Sequence, residues 1–531
     1  VNTGSIKTPV EHQVEWLAQA WLSTLQNPQM RLLTIRSRDD ARAVAQTFLA
    51  LQEQQPGEHG IPDLFVTFTC PFTTGYDYSQ SLVDALIGKY QNSDAVASYW
   101  EAEKRPVTQG AETLSCFQHF ASHHRANFRY LAVMLSPESV SDRQLFTRWI
   151  GDIASTVPDN IRLVFCDTDV QPEWQFLLDK HAAHAGLITL PTDGLQLMRE
   201  TYYQQAAGER DADAGRYRSL LLDCFILLEK GTPAQLTQRA EQALSLAGKK
   251  GWHAQSAIVH NMIAGGHLKA GDAPKAIAAY QEARRCAQAI PQADQRLQHL
   301  MQADFSLGGA HYSVNAYQQA ARAYTDAANW AQQAGNVYYA IDGHRMAGHC
   351  HLRRHHPDDA SAAFARAMQL GKSLPAGQRL ATTLPFVFQE LLRLHDAPRT
   401  DALSQCAEKH KQQDCNLLTA ADERVKHLPA PISADDIDAV NKQLHNGQIA
   451  LFNQTRQHRE QLILKGNTDF KNTVAMARQY LHEGWNGLPD IPHPLDAPYR
   501  TWTAMPNYLA QPENNMADSF ISQHHKDGSL S

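Results

Sequence analysis

Apolar and polar positions divide the chain into two textures. Up to about residue 195, short continuous apolar runs alternate with stretches of helical period. The runs are 31–36 (RLLTIR), 64–70 (LFVTFTC), 130–135 (YLAVML), 161–166 (IRLVFC) and 187–190 (LITL). The helical stretches between them are 39–55, 78–90, 141–155 and 173–181. Continuous apolar strands separated by amphipathic helices predict a parallel sheet covered on both faces. After Thr192 the strand pattern stops, and nearly everything to Trp485 reads as helix of period 3.6, including a long one near 435–465.

A repeat runs through this helical part. Ala276, Tyr280 and Ala283 recur as Ala320, Tyr324 and Ala327 and again as Ala360, Phe364 and Ala367, with Leu236, Ala240 and Ala243 as a weaker copy. Twelve residues before each leading Ala stands a small residue (Ala264, Gly308, Gly348), and three after that a His (His267, His311, His351). Small residues on a first helix admit a close second helix, and the aromatic fills the gap towards the next pair. On these residues the stretch 216–370 resembles the tetratricopeptide repeat family. Its copies are 44 and 40 residues apart, longer than the usual ~34, which implies long helices.

The first 195 residues resemble a degenerate P-loop NTPase of the signal-transduction ATPase (STAND) and AAA group, with a helix at 14–26, the strand RLLTIRS, then helix and second strand. The family's phosphate loop follows the first strand, where backbone N–H groups and one Lys hold the phosphates. Here Ser37, Arg38, Asp39 and Asp40 stand there, without Gly or Lys, and two carboxylates repel phosphate at a helix N-terminus. Ser37 or Asp39 reads as an N-cap. Ser136, Pro137 and Glu138 replace a metal-organising Asp, and Asp167 and Asp169 end a later strand. Gly371, Lys372 and Ser373 end a repeat helix instead of following a strand. The expected fold is therefore mainly α: a degenerate NTPase-like α/β domain at 1–195, a solenoid of helix pairs at 196–379, a helical region at 380–483, and a Pro-rich extended tail at 484–531.

Composition narrows the functions. Hydrophobic residues make up 43% and charged residues 19% of 531 residues, and 48 Lys plus Arg face 55 Asp plus Glu. That balance argues for a globular protein and against a nucleic-acid partner. Val1 to Pro9 carries no leader pattern, no apolar run approaches 18 residues, and the eight Cys lack C-x-x-C spacing. The expectation is a cytoplasmic protein with reduced thiols and no membrane insertion. The tail, with Pro489, Pro492, Pro494, Pro498, Pro506 and Pro512, forbids long helices. It reads as a linker, a flexible end or a strap laid over the protein or a partner, and Tyr499, Trp502, Tyr508 and Phe520 are more aromatics than a spacer needs.

Candidate chemistry is sparse. His344, His349, Cys350, His351, His355 and His356 form a His-rich segment in which His351 and His355 have the i, i+4 spacing of a Zn²⁺ chelate. Against that, His351 fills the repeat's packing position, and HHP at 355–357 reads as the turn between helices. The pairs His123/His124 and His524/His525 read as surface histidines. No nucleophile elbow or family-specific Cys is present, and Asp358/Asp359 and Asp435/Asp436 sit at helix starts. No catalytic, cofactor-binding or metal-ligating set is assigned, and the chain is not expected to be an enzyme.

The repeat resemblance implies a groove lined by the first helices. Carried across by register, its positions are Asn261, Lys269, Gln302, Phe305, Tyr312, Arg345, His349 and Arg353. The chain reads as a protein-binding scaffold, an adaptor or chaperone. Large cytosolic adaptors built on such repeats suggest a bacterial secretion or effector-delivery cargo as the partner. The alternative is a STAND-like switch with ligand-sensing repeats and residual nucleotide binding, and a third reading is a metal-dependent enzyme or toxin around 344–356. The partner's identity and the oligomeric state are not encoded in these patterns.

Overall fold

The computed structural model describes residues 8–93, 100–102, 105–206, 212–496 and 501–504. They form 19 α-helices and a five-stranded parallel sheet, with the sheet at the N-terminal end and stacked consecutive helices after it. The chain divides into two compact units. The first holds Val1–Leu197, Gln412–Leu451 and His493–Ser531, the second Met198–Lys411 and Phe452–Pro492.

In the first unit α1 (Pro9–Thr24) precedes β1 (Leu32–Ser37), α2 (Arg42–Gln54), β2 (Leu64–Phe68), α3 (Gly75–Gln91), α4 (Gly110–His123), β3 (Leu131–Leu135), α5 (Arg143–Ala154), β4 (Ile161–Thr168), α6 (Gln175–Lys180) and β5 (Ala185–Thr189). The strand order is β2-β3-β4-β1-β5. All five apolar runs are strands, and α4 is a second crossover helix between β2 and β3 beyond the helical stretches expected there. Alternate strand residues serve opposite faces. Phe68, Leu131, Leu163 and Phe165 pack under α3 to α6, while Leu33, Ile35, Phe65 and Val164 pack under α1 and α2. Burial on both faces is why the strands read as unbroken apolar runs.

After α7 (Gly194–Ala206) come four helix pairs: α8 (Ala212–Lys230) with α9 (Pro233–Lys250), α10 (His253–Lys269) with α11 (Ala273–Gln288), α12 (Ala293–Ser313) with α13 (Tyr317–Gln333), and α14 (Val337–Arg353) with α15 (Pro357–Gly371). The repeating Ala and aromatic residues are all buried. In the last two pairs the aromatic also lies over the small residue of its own pair. A Cβ on Gly308 would stand 2.8 Å from Tyr324, and one on Gly348 2.4 Å from Phe364. Contact with the following pair is made alongside, where a Cβ on Gly343 would meet the Tyr324 carbonyl at 2.8 Å.

The recurring His has a backbone role. His267, His311 and His351 accept with their carbonyls the N–H of Asp272, Ala316 and His356, closing the first helix of each pair. The turn residue one before each of these donors is left-handed: Gly271 (φ 78°), Asn315 (φ 60°) and His355 (φ 60°). His355 is thus a turn residue, as HHP suggested. His344 is buried, and His351 and His356 both face Asp359 in the first turn of α15.

The remaining helices are α16 (Ala376–Leu380), α17 (Leu384–Lys426), α18 (Ala434–Leu464) and α19 (Thr468–Tyr480). The expected long helix near 435–465 is α18. In α17, Asp396 leaves helical geometry, two residues before Pro398, and its carboxylate caps the Arg399 N–H at 3.1 Å, restarting the helix. Gly371 closes α15 against Tyr480, whose hydroxyl a Cβ there would meet at 2.3 Å, so Gly371-Lys372-Ser373 is a packing terminus. No helix among the described residues is long and apolar enough to cross a membrane.

Candidate partner-binding groove

The groove positions fall on three first helices, and the structure gathers some of them into one network. His349 on α14 lies between Tyr312 of α12 and Glu390 of α17: its Nε2 is 2.9 Å from the Tyr312 hydroxyl and its Nδ1 2.8 Å from Glu390 Oε1. A carboxylate only accepts, so Nδ1 donates, and in the neutral imidazole Nε2 accepts the Tyr312 O–H. The Tyr312 ring packs edge-on against Tyr317 of α13, and Arg353 donates to the Tyr317 hydroxyl (3.2 Å) with its guanidinium 5.4 Å over that ring.

Towards the start of α14 its residues meet apolar side chains of α12 and α17. Arg345 pairs with Asp342 at 2.7 Å and lies 5.9 Å over Phe386 of α17. Phe305 of α12 packs edge-on against Tyr324 and Tyr339. Tyr339 and Phe386 are each 51% exposed.

Three assignments sit apart. Lys269 donates to the carbonyls of Leu228 (3.2 Å) and Glu229 (2.8 Å), where it caps the C-terminal end of α8. Gln302 is exposed on α12. Asn261 is half-buried, and its Oδ1 is shielded from solvent without a hydrogen bond among the described residues. Register counting missed Tyr317, Tyr339, Phe386 and Glu390. The first two carried aromatic character at helix starts, but the last two lie on α17, beyond the last repeat copy.

In the first unit the connection after β1 is closed from within. Ser37 ends β1, and neither it nor Asp39 caps a helix, contrary to the N-cap expectation. Asp40 instead accepts the Gly194 N–H at 3.2 Å, and Arg38 lies 3.6 Å from Asp40 and 3.9 Å from Asp193. A Cβ on Gly194 would stand 1.9 Å from the Asp40 carbonyl oxygen. Asp167 is also engaged, pairing with Arg36 at 3.2 Å and accepting the backbone N–H of Glu173 at 2.8 Å. A hollow of about 490 Å³ is lined by Arg143, Arg148 and Lys180 among others, but Arg143 pairs with Glu173 and Arg148 with Glu423.

His124 is not on the surface: it is buried against Tyr90 and Phe120, and burial lowers its pKa. Among the described residues no group of three His, Cys, Asp or Glu is arranged to hold a metal ion. His524, His525, Tyr499, Tyr508 and Phe520 lie outside the described residues.

No protein-family model matches the chain, and no curated protein is similar to it. Among solved structures, BtubC (BKLC) from P. vanneervenii is similar at 16% identity and a TM-score of 0.27, over 50% of this chain and 94% of that one. A STAND protein with a tetratricopeptide repeat sensor from Pyrococcus horikoshii is similar at 9% identity and a TM-score of 0.25, over 90% of this chain and 84% of that one.

Proposed function

We propose that the chain is a non-enzymatic protein-binding scaffold, an adaptor or chaperone that holds a segment of another protein against the face formed by α12, α14 and α17. The observation that carries this reading is the exposure of Tyr339 and Phe386, each 51%, beside Phe305 and Arg345. Exposed aromatics next to Arg are the composition of interface anchors. The His349 network supports it too, since it ties three helices of the face into one hydrogen-bonded unit and so lowers the cost of ordering the site on binding.

The competing reading, a nucleotide-dependent switch, needs room for phosphate after β1. Asp40 and Gly194 meet there, and Arg38 beside them already faces two carboxylates. That arrangement favours the scaffold over the switch.

Co-purification from the native host tests the proposal. One stoichiometric partner is expected with the unaltered chain, lost on Arg345→Glu with Arg353→Glu while helical circular dichroism is unchanged. A partner retained by that double variant removes the groove assignment. Stoichiometric ADP or zinc in the purified protein overturns the scaffold reading itself.

A further inference from the structure

Trp502 belongs to a Pro-rich stretch and to a single 3-10 turn (Trp502–Ala504), yet it is fully buried. It lies in the first unit among Ala421 and Val425 of α17, Ile437 and Val440 of α18, and Tyr76 of α3, whose ring centroid is 6.2 Å away. Polar contacts accompany the ring. The Trp502 N–H donates to Asp438 Oδ1 at 2.8 Å, and the Thr503 hydroxyl donates to Asp438 Oδ2 at 2.9 Å. Asp438 is itself 2% exposed. Lys442 lies 3.9 Å from it.

The walls of this cleft are fixed by bonds in which Trp502 takes no part. The Tyr76 hydroxyl donates to Asn441 at 2.5 Å, its backbone N–H donates to Asp422 at 3.2 Å, and Asp422 is held by Lys426 at 3.1 Å. A pocket with pre-set walls, one aromatic occupant and a buried carboxylate reading one backbone N–H and one hydroxyl has the parts of a peptide-recognition site. The buried carboxylate also sets selectivity. An occupant without both donors would leave Asp438 buried and under-bonded, which is costly.

We propose that the cleft between α3, α17 and α18 is a recognition pocket for a protein segment carrying Trp followed by Thr or Ser, and that residues 501–504 are its resident occupant. The chain's own strap then competes in cis with a partner segment of the same chemistry. This site is separate from the groove, and the proposal does not rest on the groove's function. Tethering gives the strap an effective concentration on the order of millimolar. A partner segment therefore gains the pocket only by outcompeting the strap or when the strap is withdrawn.

The test uses the full chain and a labelled peptide with the sequence of residues 497–508, followed by fluorescence anisotropy. The Trp502→Ala chain, whose pocket is vacated, is expected to bind the peptide at least about tenfold more tightly than the unaltered chain, where the strap competes. A peptide with Ala at the Trp position should not bind. Adding Asp438→Asn to the Trp502→Ala chain should weaken peptide binding about tenfold, the usual scale for losing hydrogen bonds to a charged acceptor. Equal affinity of the Trp502→Ala and unaltered chains, with unchanged circular dichroism, overturns the proposal. Should Trp502→Ala lose helical signal, the Trp502→Phe chain takes its place, and no gain in affinity there overturns it equally.

Discussion

Gly348 lies so close beneath Phe364 that a Cβ added to it would stand 2.4 Å from the ring. Phe364 is 1% exposed and walled by its neighbours, so the ring cannot swing aside. Gly348→Ala should lower the stability of the helical array by about 1–3 kcal/mol, the cost of overpacking. Gly265 provides the control, because a Cβ there would meet only Leu228 at an ordinary 3.6 Å. Gly265→Ala should be neutral or stabilise by up to about 1 kcal/mol through helix propensity. Urea midpoints of the two variants decide it, and equal shifts would remove the packing account.

The left-handed turn that closes each first helix is occupied by Gly271, Asn315 and His355. Only the first is at ease with φ near +70°. His355→Gly should therefore stabilise the chain by about 0.5–1 kcal/mol despite removing a side chain, since His355 is exposed and pays for its conformation. A lowered thermal midpoint would mean that the imidazole makes a contact worth more than the strain.

These two positions mark what the residue pattern reveals and what it hides. Gly308 and Gly348 were legible because close helix approach demands a small residue at a fixed distance from an aromatic, and that distance repeats. The five strands were legible because a doubly covered sheet needs unbroken apolar runs. Phe386 and Glu390 were not: they reach the groove from α17, where no repeat register applies, and Glu390 meets His349 across 41 residues of chain. Lys269 held the expected register, yet its long side chain turns back to the open carbonyls at the end of α8. Burial of Trp502 was equally hidden, because Pro-rich sequence excludes helix without saying where the chain lies.

Acid should loosen the helical array. Desolvation lowers the pKa values of His260, His299, His311, His344 and His351 below the ordinary 6.5, with Arg366 adding to the effect at His344. A group depressed in the folded state is protonated more readily when unfolded, so stability is complete above about pH 6.5 and falls as the pH drops below it. Asp304, raised by burial, acts in the opposite sense and offsets part of the loss. The urea midpoint should decline from about pH 7 to about pH 5.5, with a smaller decline in His344→Gln. A midpoint that stays flat over that range contradicts the account.

In the groove, the Tyr312 O–H serves His349, which in turn serves Glu390. Tyr312→Phe leaves His349 Nε2 without its donor at a half-buried position, and should cost about 0.5–1.5 kcal/mol. In a double-mutant cycle with His349→Phe the two losses should not add, because each variant breaks the same bond. Additive losses would show that the two side chains act separately.

Gly194→Ala tests the closure after β1 and should be the most damaging of these substitutions. The atoms that a new Cβ would meet are backbone: the Asp40 carbonyl oxygen at 1.9 Å, its carbon at 2.3 Å and the Ala41 nitrogen at 2.8 Å. No rotamer relieves such a clash, so either the turn at Gly194 or the start of α2 must move, and the Asp40 bond to the Gly194 N–H goes with it. The cost should reach about 3 kcal/mol or more, at the upper end for overpacking, and appear as faster proteolysis within 31–54. Calorimetric titration with ADP carries the functional side. The unaltered chain should give no binding heat, since Asp40 and Asp193 leave Arg38 without spare charge for a phosphate, and Gly194→Ala should not create any, because opening the turn supplies no Lys and leaves both carboxylates in place. Tight ADP binding by the unaltered chain would restore the nucleotide switch as the better reading.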